Sequence, residues 1–153
     1  MSEGFIAADY KRYPRDLSGY GANKPQANWP DGARIALQFV INFEEGGENC
    51  VLHGDGASEA FLSEITADAR EGVRHMSMES FYEYGSRVGV WRLFNLFKDL
   101  EIPVTIFAIA MALQRNQDVV EAALKNDFEI CSHGYRWIDY QYLPENIEKE
   151  HLY

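Results

Sequence analysis

Glu44 and Glu45 stand side by side, directly after the apolar run Arg34-Ile-Ala-Leu-Gln-Phe-Val-Ile-Asn-Phe43. His133 follows another such run, Phe128-Glu-Ile-Cys-Ser132. Like charges held close together, or partly buried, raise the pKa of one carboxyl. A carboxyl raised in this way can hold or accept a proton near neutral pH. A histidine beside the pair can donate a proton or polarise a carbonyl. The chemistry these residue types offer is therefore general acid–base catalysis. The plainer readings are a solvated loop pair and a structural histidine. Cys131 lies two residues before His133, on the same side of an extended strand. A Cys–His nucleophilic pair is one use of that spacing, but beside Ile130 an inert buried thiol is the expectation. His53, His75 and His151 show no metal-ligand spacing and are expected at the surface. The chain has no C-x-x-C and no H-E-x-x-H. Gly46-Gly47 has no lysine-serine partner and is not a phosphate loop.

What places these groups is an alternation of strands and helices. Residues 34–43 read as a strand buried on both faces, as in a parallel sheet. A long polar segment, 44–76, follows, and Ser58 to Ala69 within it suits a short helix. Met78 to Leu100 reads as one long helix with an apolar stripe at Val90, Leu93, Phe94, Phe97 and Leu100. Ser80 with Glu83, or Ser77, suits its cap, and Gly85 and Gly89 would permit close backbone approach. On this helix Tyr82, Tyr84 and Trp91 suit the core, and Arg87 and Arg92 suit either a substrate carbonyl or a partner such as Glu83. Pro103 opens a second strand, 104–110. A helix is expected over about 118–125, a strand over 128–132, and a helix from Pro144. Strand, helix, strand, helix, strand, helix is the pattern of a parallel α/β sheet. In such sheets reactive groups gather beyond the C-terminal strand ends. Both Glu44-Glu45 and His133 fall there, at one rim.

The chain has 153 residues, which suits one domain. A complete eight-fold α/β barrel needs roughly 250 residues. The last helix has barely two turns and no returning strand, so 1–153 is expected to be the N-terminal part of a larger α/β protein, with a genuine small domain as the alternative. Within it, 1–34 is an irregular arm rich in Pro and Gly, and 35–153 holds the β/α units. The 14 Lys and Arg against 24 Asp and Glu give a net charge of −10. That disfavours nucleic acid and anionic membrane as partners. Two cysteines are too few for a disulfide framework. No signal-peptide pattern and no spanning run is present, and a cytoplasmic protein is the default.

At the two strand ends the sequence resembles the polysaccharide deacetylase superfamily, the NodB-like carbohydrate esterases. Their motif Thr-Phe-Asp-Asp-Gly corresponds to Asn42-Phe43-Glu44-Glu45-Gly46, and their His-Ser/Thr-x-x-His to His133-Gly134-Tyr135-Arg136-Trp137. Residues 42–48, 77–87, 129–142 and 13–21 are similar to one branch in particular, the PuuE-type allantoinases of urate catabolism. The resemblance implies the first half of a distorted β/α barrel of the NodB-like fold. In the deacetylases the first Asp is the base, and the second Asp and both histidines hold a metal. Glu44 falls at the base position, Glu45 and His133 at ligand positions, and Trp137 at the second histidine, where it cannot ligate. The branch is regarded as working without a metal, so no cofactor is expected.

The activity implied is hydrolytic opening of the hydantoin ring of (S)-allantoin to allantoate. Glu44 or Glu45 would be the base, and His133 the acid or oxyanion donor. Tyr135, Arg136 and Trp137 would bind the substrate, with contributions from Glu79 and Arg87. The small-molecule substrate would be the main partner, and the full-length protein a homo-oligomer. Two other expectations stand beside this one. One is a metal-dependent deacetylase of N-acetylated sugar polymers. The other is an inactive fragment with exposed apolar sheet faces.

Overall fold

The computed structural model describes residue 15 and residues 17–61 and 68–152. The chain divides into two compact units, Met1–Leu37 and Gln38–Tyr153. The described part of the first is irregular apart from a single 3-10 turn, Pro30–Gly32.

In the second unit, β1 (Val40–Phe43) opens the sheet. A short antiparallel pair follows, β2 (Ala57–Ser58) with β3 (Arg70–Glu71). Then come α1 (Met76–Tyr84), a π-helical turn (Gly85–Gly89) and α2 (Val90–Asp99). The strand β4 (Thr105–Ala108), the helices α3 (Ala110–Arg115) and α4 (Gln117–Lys125), the strand β5 (Glu129–Ser132) and α5 (Glu145–Leu152) complete it. The strands β1, β4 and β5 form one parallel sheet in that order. Asn42 pairs with Phe107 and Phe107 with Cys131, so these three share one row. Among the described residues no helix is long and apolar enough to cross a membrane.

One face of the sheet carries the core. Ile41, Phe43, Ile106 and Ala108 pack against Val90 and Phe94 of α2 and against Ala112, Val119 and Ala123. The helices α2 and α4 end alike. Glu101 and Asp127 adopt left-handed φ of 53° and 56°. Beyond them, Ile102 donates to the Phe97 carbonyl and Phe128 to Ala123, both at 3.0 Å. This is the Schellman arrangement, which satisfies the last carbonyls of the helix and turns the chain sharply back. Each helix thus delivers the chain into the next parallel strand within a few residues.

Several expectations are corrected. The first strand covers 40–43, not 34–43, and it is buried on alternate residues only. Its apolar run misleads because residues on a strand face opposite ways, and the described chain covers one side alone. Cys131 is exposed for the same reason, while Cys50 is the buried thiol. The long helix begins at Met76 and is capped by His75, whose ring accepts from the Met78 N–H. His75 is buried, not at the surface. The helix is interrupted by the π turn, in which a methyl group on Gly85 would overlap the Glu45 carboxylate. Gly89 lacks that crowding. Leu93 and Leu100 of the apolar stripe are exposed. The helix expected over 58–69 begins instead with a strand residue, Ser58, and residues 62–67 of it lie outside the described residues. The helix α3 was not foreseen.

Candidate active site

Strand β1 ends at Phe43, and strand pairing continues past the ends of β4 and β5. Ile109 donates to the Phe43 carbonyl at 3.0 Å and His133 to the Ala108 carbonyl at 2.9 Å. The residues 42 and 44 of one strand, 107 of the next, and 131 and 133 of the third therefore lie on the face away from the core. Their side chains meet there. His133 Nε2 lies 2.9 Å from Glu44 Oε1, and Asn42 Nδ2 donates to the same oxygen at 3.2 Å. The Phe107 ring stacks on His133 at 3.9 Å between centroids. One carboxylate oxygen of Glu44 is thus held by two donors, while among the described residues no hydrogen bond is made to Oε2. The Glu44 and His133 side chains are about a quarter exposed, 21% and 26%, so water reaches them.

Glu45 faces another way. The Gly46-Gly47 turn folds back so that Gly47 donates to the Glu44 carbonyl at 2.9 Å, and a methyl group on Gly47 would overlap Ile109. This sends the Glu45 side chain over the π turn, where its Oε2 accepts the Glu44 N–H at 3.1 Å. It lines a cleft of about 360 Å³ together with Glu48, His53, Tyr82, Glu83 and Arg115. Glu44 and His133 do not line that cleft. Burial, aided by the nearby Glu44 and Glu48 carboxylates, pushes the Glu45 carboxyl above its ordinary 4.5. Burial among carboxylates likewise pushes the Tyr82 phenol up.

A raised carboxyl pKa favours folding while the group is protonated, and that contribution falls away as pH rises through the folded value. Glu45→Gln removes the titration but keeps an acceptor for the Glu44 N–H. The variant is therefore expected to be more stable than the parent at pH 7 and no more stable below pH 4.5, the group's ordinary value. Urea unfolding at the two pH values checks it; an equal difference at both would contradict the origin in burial.

The remaining candidates are placed as follows. Glu79 and Arg87 line the same cleft as Glu45. Glu79 is held by the Arg74 guanidinium, which draws its carboxyl below the ordinary range. Arg87 is exposed and pairs with Glu83 at 3.3 Å. The Tyr135 hydroxyl donates to Gln114 at 3.2 Å. Arg136 is engaged by Asp55 and by the Glu48 carbonyl. Trp137 packs its ring near Phe61, 5.9 Å between centroids, and against the core. The structure thus joins Glu44 to His133 and gathers Glu45, Glu79 and Arg87 elsewhere.

Asn42, Phe107 and Asp55 escaped sequence reasoning. Asn42 was legible from its two-residue spacing to Glu44. Phe107 needed the sheet register, and Asp55 left no signal.

The same geometry tests the metal that the superfamily resemblance implies. Of the residues at the ligand positions, Glu45 turns toward Gly85, His133 turns to Glu44, and the Trp137 indole has a donor and no acceptor. No three His, Cys, Asp or Glu side chains converge as metal ligands among the described residues. This donor set does not fit a metal held by three protein ligands.

Comparison with known proteins agrees with the architecture. The chain is 63% identical to a PuuE allantoinase crystal structure, with a TM-score of 0.85 over 92% of this chain and 47% of that one. It is 66% identical to a structure named for polysaccharide deacetylases from Pseudomonas aeruginosa PAO1, with a TM-score of 0.84 over 91% of this chain and 47% of the other. A protein of Schizosaccharomyces pombe (strain 972 / ATCC 24843), also named for polysaccharide deacetylases, is 43% identical over 90% of this chain and 44% of its own length. The chain therefore spans about half the length of the relatives it matches, and its fold is the NodB-like α/β fold over that half. Residues 73–152 match the model of the polysaccharide deacetylase domain. That match covers more than half of the 153 residues, and the chain belongs to the polysaccharide deacetylase family.

Proposed function

We propose that the protein hydrolyses a C–N bond in a cyclic amide, opening the hydantoin ring of (S)-allantoin to allantoate in purine catabolism. The observation that carries this reading is the Glu44–His133 pair at the C-terminal rim of the parallel sheet, 2.9 Å apart. Glu44 is the general base. Its Oε1 is held by His133 and Asn42, so Oε2 takes the proton from water. The hydroxide adds to the ring carbonyl, and the tetrahedral oxyanion needs a fixed donor. His133 stands beside the carboxylate as donor to that oxyanion or to the leaving ring nitrogen. Water is added across the C–N bond and the ring opens, with the proton from water ending on that nitrogen.

The similarity to a PuuE allantoinase supports this substrate over others. The donor set at the rim favours water activated by a carboxylate over water activated by a metal held by three ligands. The test is turnover of (S)-allantoin by the purified protein after exhaustive chelation, with a matched zinc-added sample. An N-acetylated sugar polymer is assayed in parallel for acetate release. Ring opening that survives chelation is expected. Acetate release that depends on zinc, without ring opening, would replace this reading by the deacetylase one.

A further inference from the structure

The loop after β1 and the loop after β5 carry the two halves of the proposed site, Glu44 and His133. They are held together by a partly buried clamp outside it. Arg136 Nη1 donates to Asp55 Oδ1 at 2.8 Å and Nη2 to Asp55 Oδ2 at 2.6 Å. This is the bidentate fork that guanidinium and carboxylate planes favour. Nη2 also reaches the Glu48 carbonyl at 3.1 Å. Asp55 Oδ2 in turn accepts the Cys50 N–H at 2.8 Å. The side chains are 13% and 18% exposed. The guanidinium draws the Asp55 carboxyl below its ordinary range, so the pair stays ionised near neutral pH. Beside it, the Trp137 N–H donates to the Gly47 carbonyl at 2.9 Å.

We propose that Asp55 is a positioning residue, fixing Arg136 so that the two loops hold Glu44 against His133. This rests on the reading of that pair as the reacting groups. The clamp spans residues 48–55 on one side and 136 on the other, while Glu44 and His133 lie a few residues nearer the strands on the same two loops. With the clamp released, the Trp137–Gly47 bond is the backbone link left between the two loops among the described residues. With the clamp closed, both terminal nitrogens of Arg136 are taken by Asp55, so it has no free fork to offer a substrate. Its Nε is buried and has no hydrogen-bond partner among the described residues, so the guanidinium makes its contacts through Nη1 and Nη2.

Asp55→Asn and Arg136→Lys both keep size and polarity while losing the charged fork. Two readouts separate the clamp from the reaction. In hydrogen exchange, the Trp137 amide is expected to exchange at least tenfold faster in either variant, with the amides of β4 unchanged. Unchanged exchange at Trp137 would overturn the proposal whatever the activity. In ring opening, kcat is expected to fall about 10- to 100-fold with KM within about threefold, as misplacement of catalytic groups does. The same loss should vanish in a Glu44→Gln background, because the clamp acts through Glu44. A rise in KM at constant kcat would instead make Arg136 a substrate ligand. A full loss persisting in the Glu44→Gln background would also overturn the positioning role. Faster Trp137 exchange in a protein that does not open allantoin would leave the clamp standing and remove the substrate reading.

Discussion

Glu44→Gln is expected to lower the rate of ring opening by about 10³-fold, within the range general base catalysis supplies. The substitution is close to isosteric. The Gln carbonyl oxygen can still accept from His133 Nε2 and Asn42 Nδ2, as Glu44 Oε1 does now. What is lost is the ability of the second terminal atom to take a proton, since an amide nitrogen is a donor only. Stability should change by no more than about 1 kcal/mol, because the pair is partly exposed and its charge is screened by water. The loss should therefore appear in kcat with the urea midpoint nearly unmoved. Glu45→Gln is the matched comparison. Its carboxylate faces the cleft over Gly85 and caps the Glu44 N–H, so a smaller loss is expected. The reverse order, with Glu45→Gln the more damaging, would move the base to Glu45.

That contrast between two adjacent glutamates marks where the sequence stops being legible. Alternation of strands and helices follows from apolar runs and their period, and a parallel sheet was readable from it. Glu44 and His133 were readable as neighbours because each lies just past a strand end. The direction of Glu45 was not readable. It depends on the Gly46-Gly47 turn and on the absence of a side chain at Gly85, two features 38 or more residues apart in sequence that meet only after folding. The π turn escaped for a related reason: the apolar stripe of α2 continues the helical period, and nothing in the period reports one inserted wide turn. Residues 34–39 were read as strand because apolar runs are the strand signal, whereas only 40–43 pair with β4. Arg136 sat in the right loop, and its type suits a ligand carbonyl. Its partner Asp55 lies 81 residues away in sequence, and without that partner the structural use of the guanidinium could not be seen.

His133 carries the second large effect, and a pair of variants can say what it contributes. His133→Ala removes the donor to Glu44 Oε1 and the ring stacked on Phe107. A loss of about 10²-fold in kcat is expected, within the range for a positioned acid–base group. His133→Gln keeps an N–H near the position of Nε2 without a group that titrates near neutral pH. If His133 works by holding Glu44 and by donating a hydrogen bond to the oxyanion, the Gln variant should recover much of the loss. If His133 passes a proton to the leaving nitrogen, the Gln variant should be as slow as the Ala variant. A substrate with a better leaving nitrogen then decides further. Needing less proton donation, it should lift the rate of both variants toward the parent in the second case and leave the Ala variant slow in the first. Parent-like turnover in His133→Ala would take the imidazole out of the reaction and leave Glu44 to work with Asn42 alone.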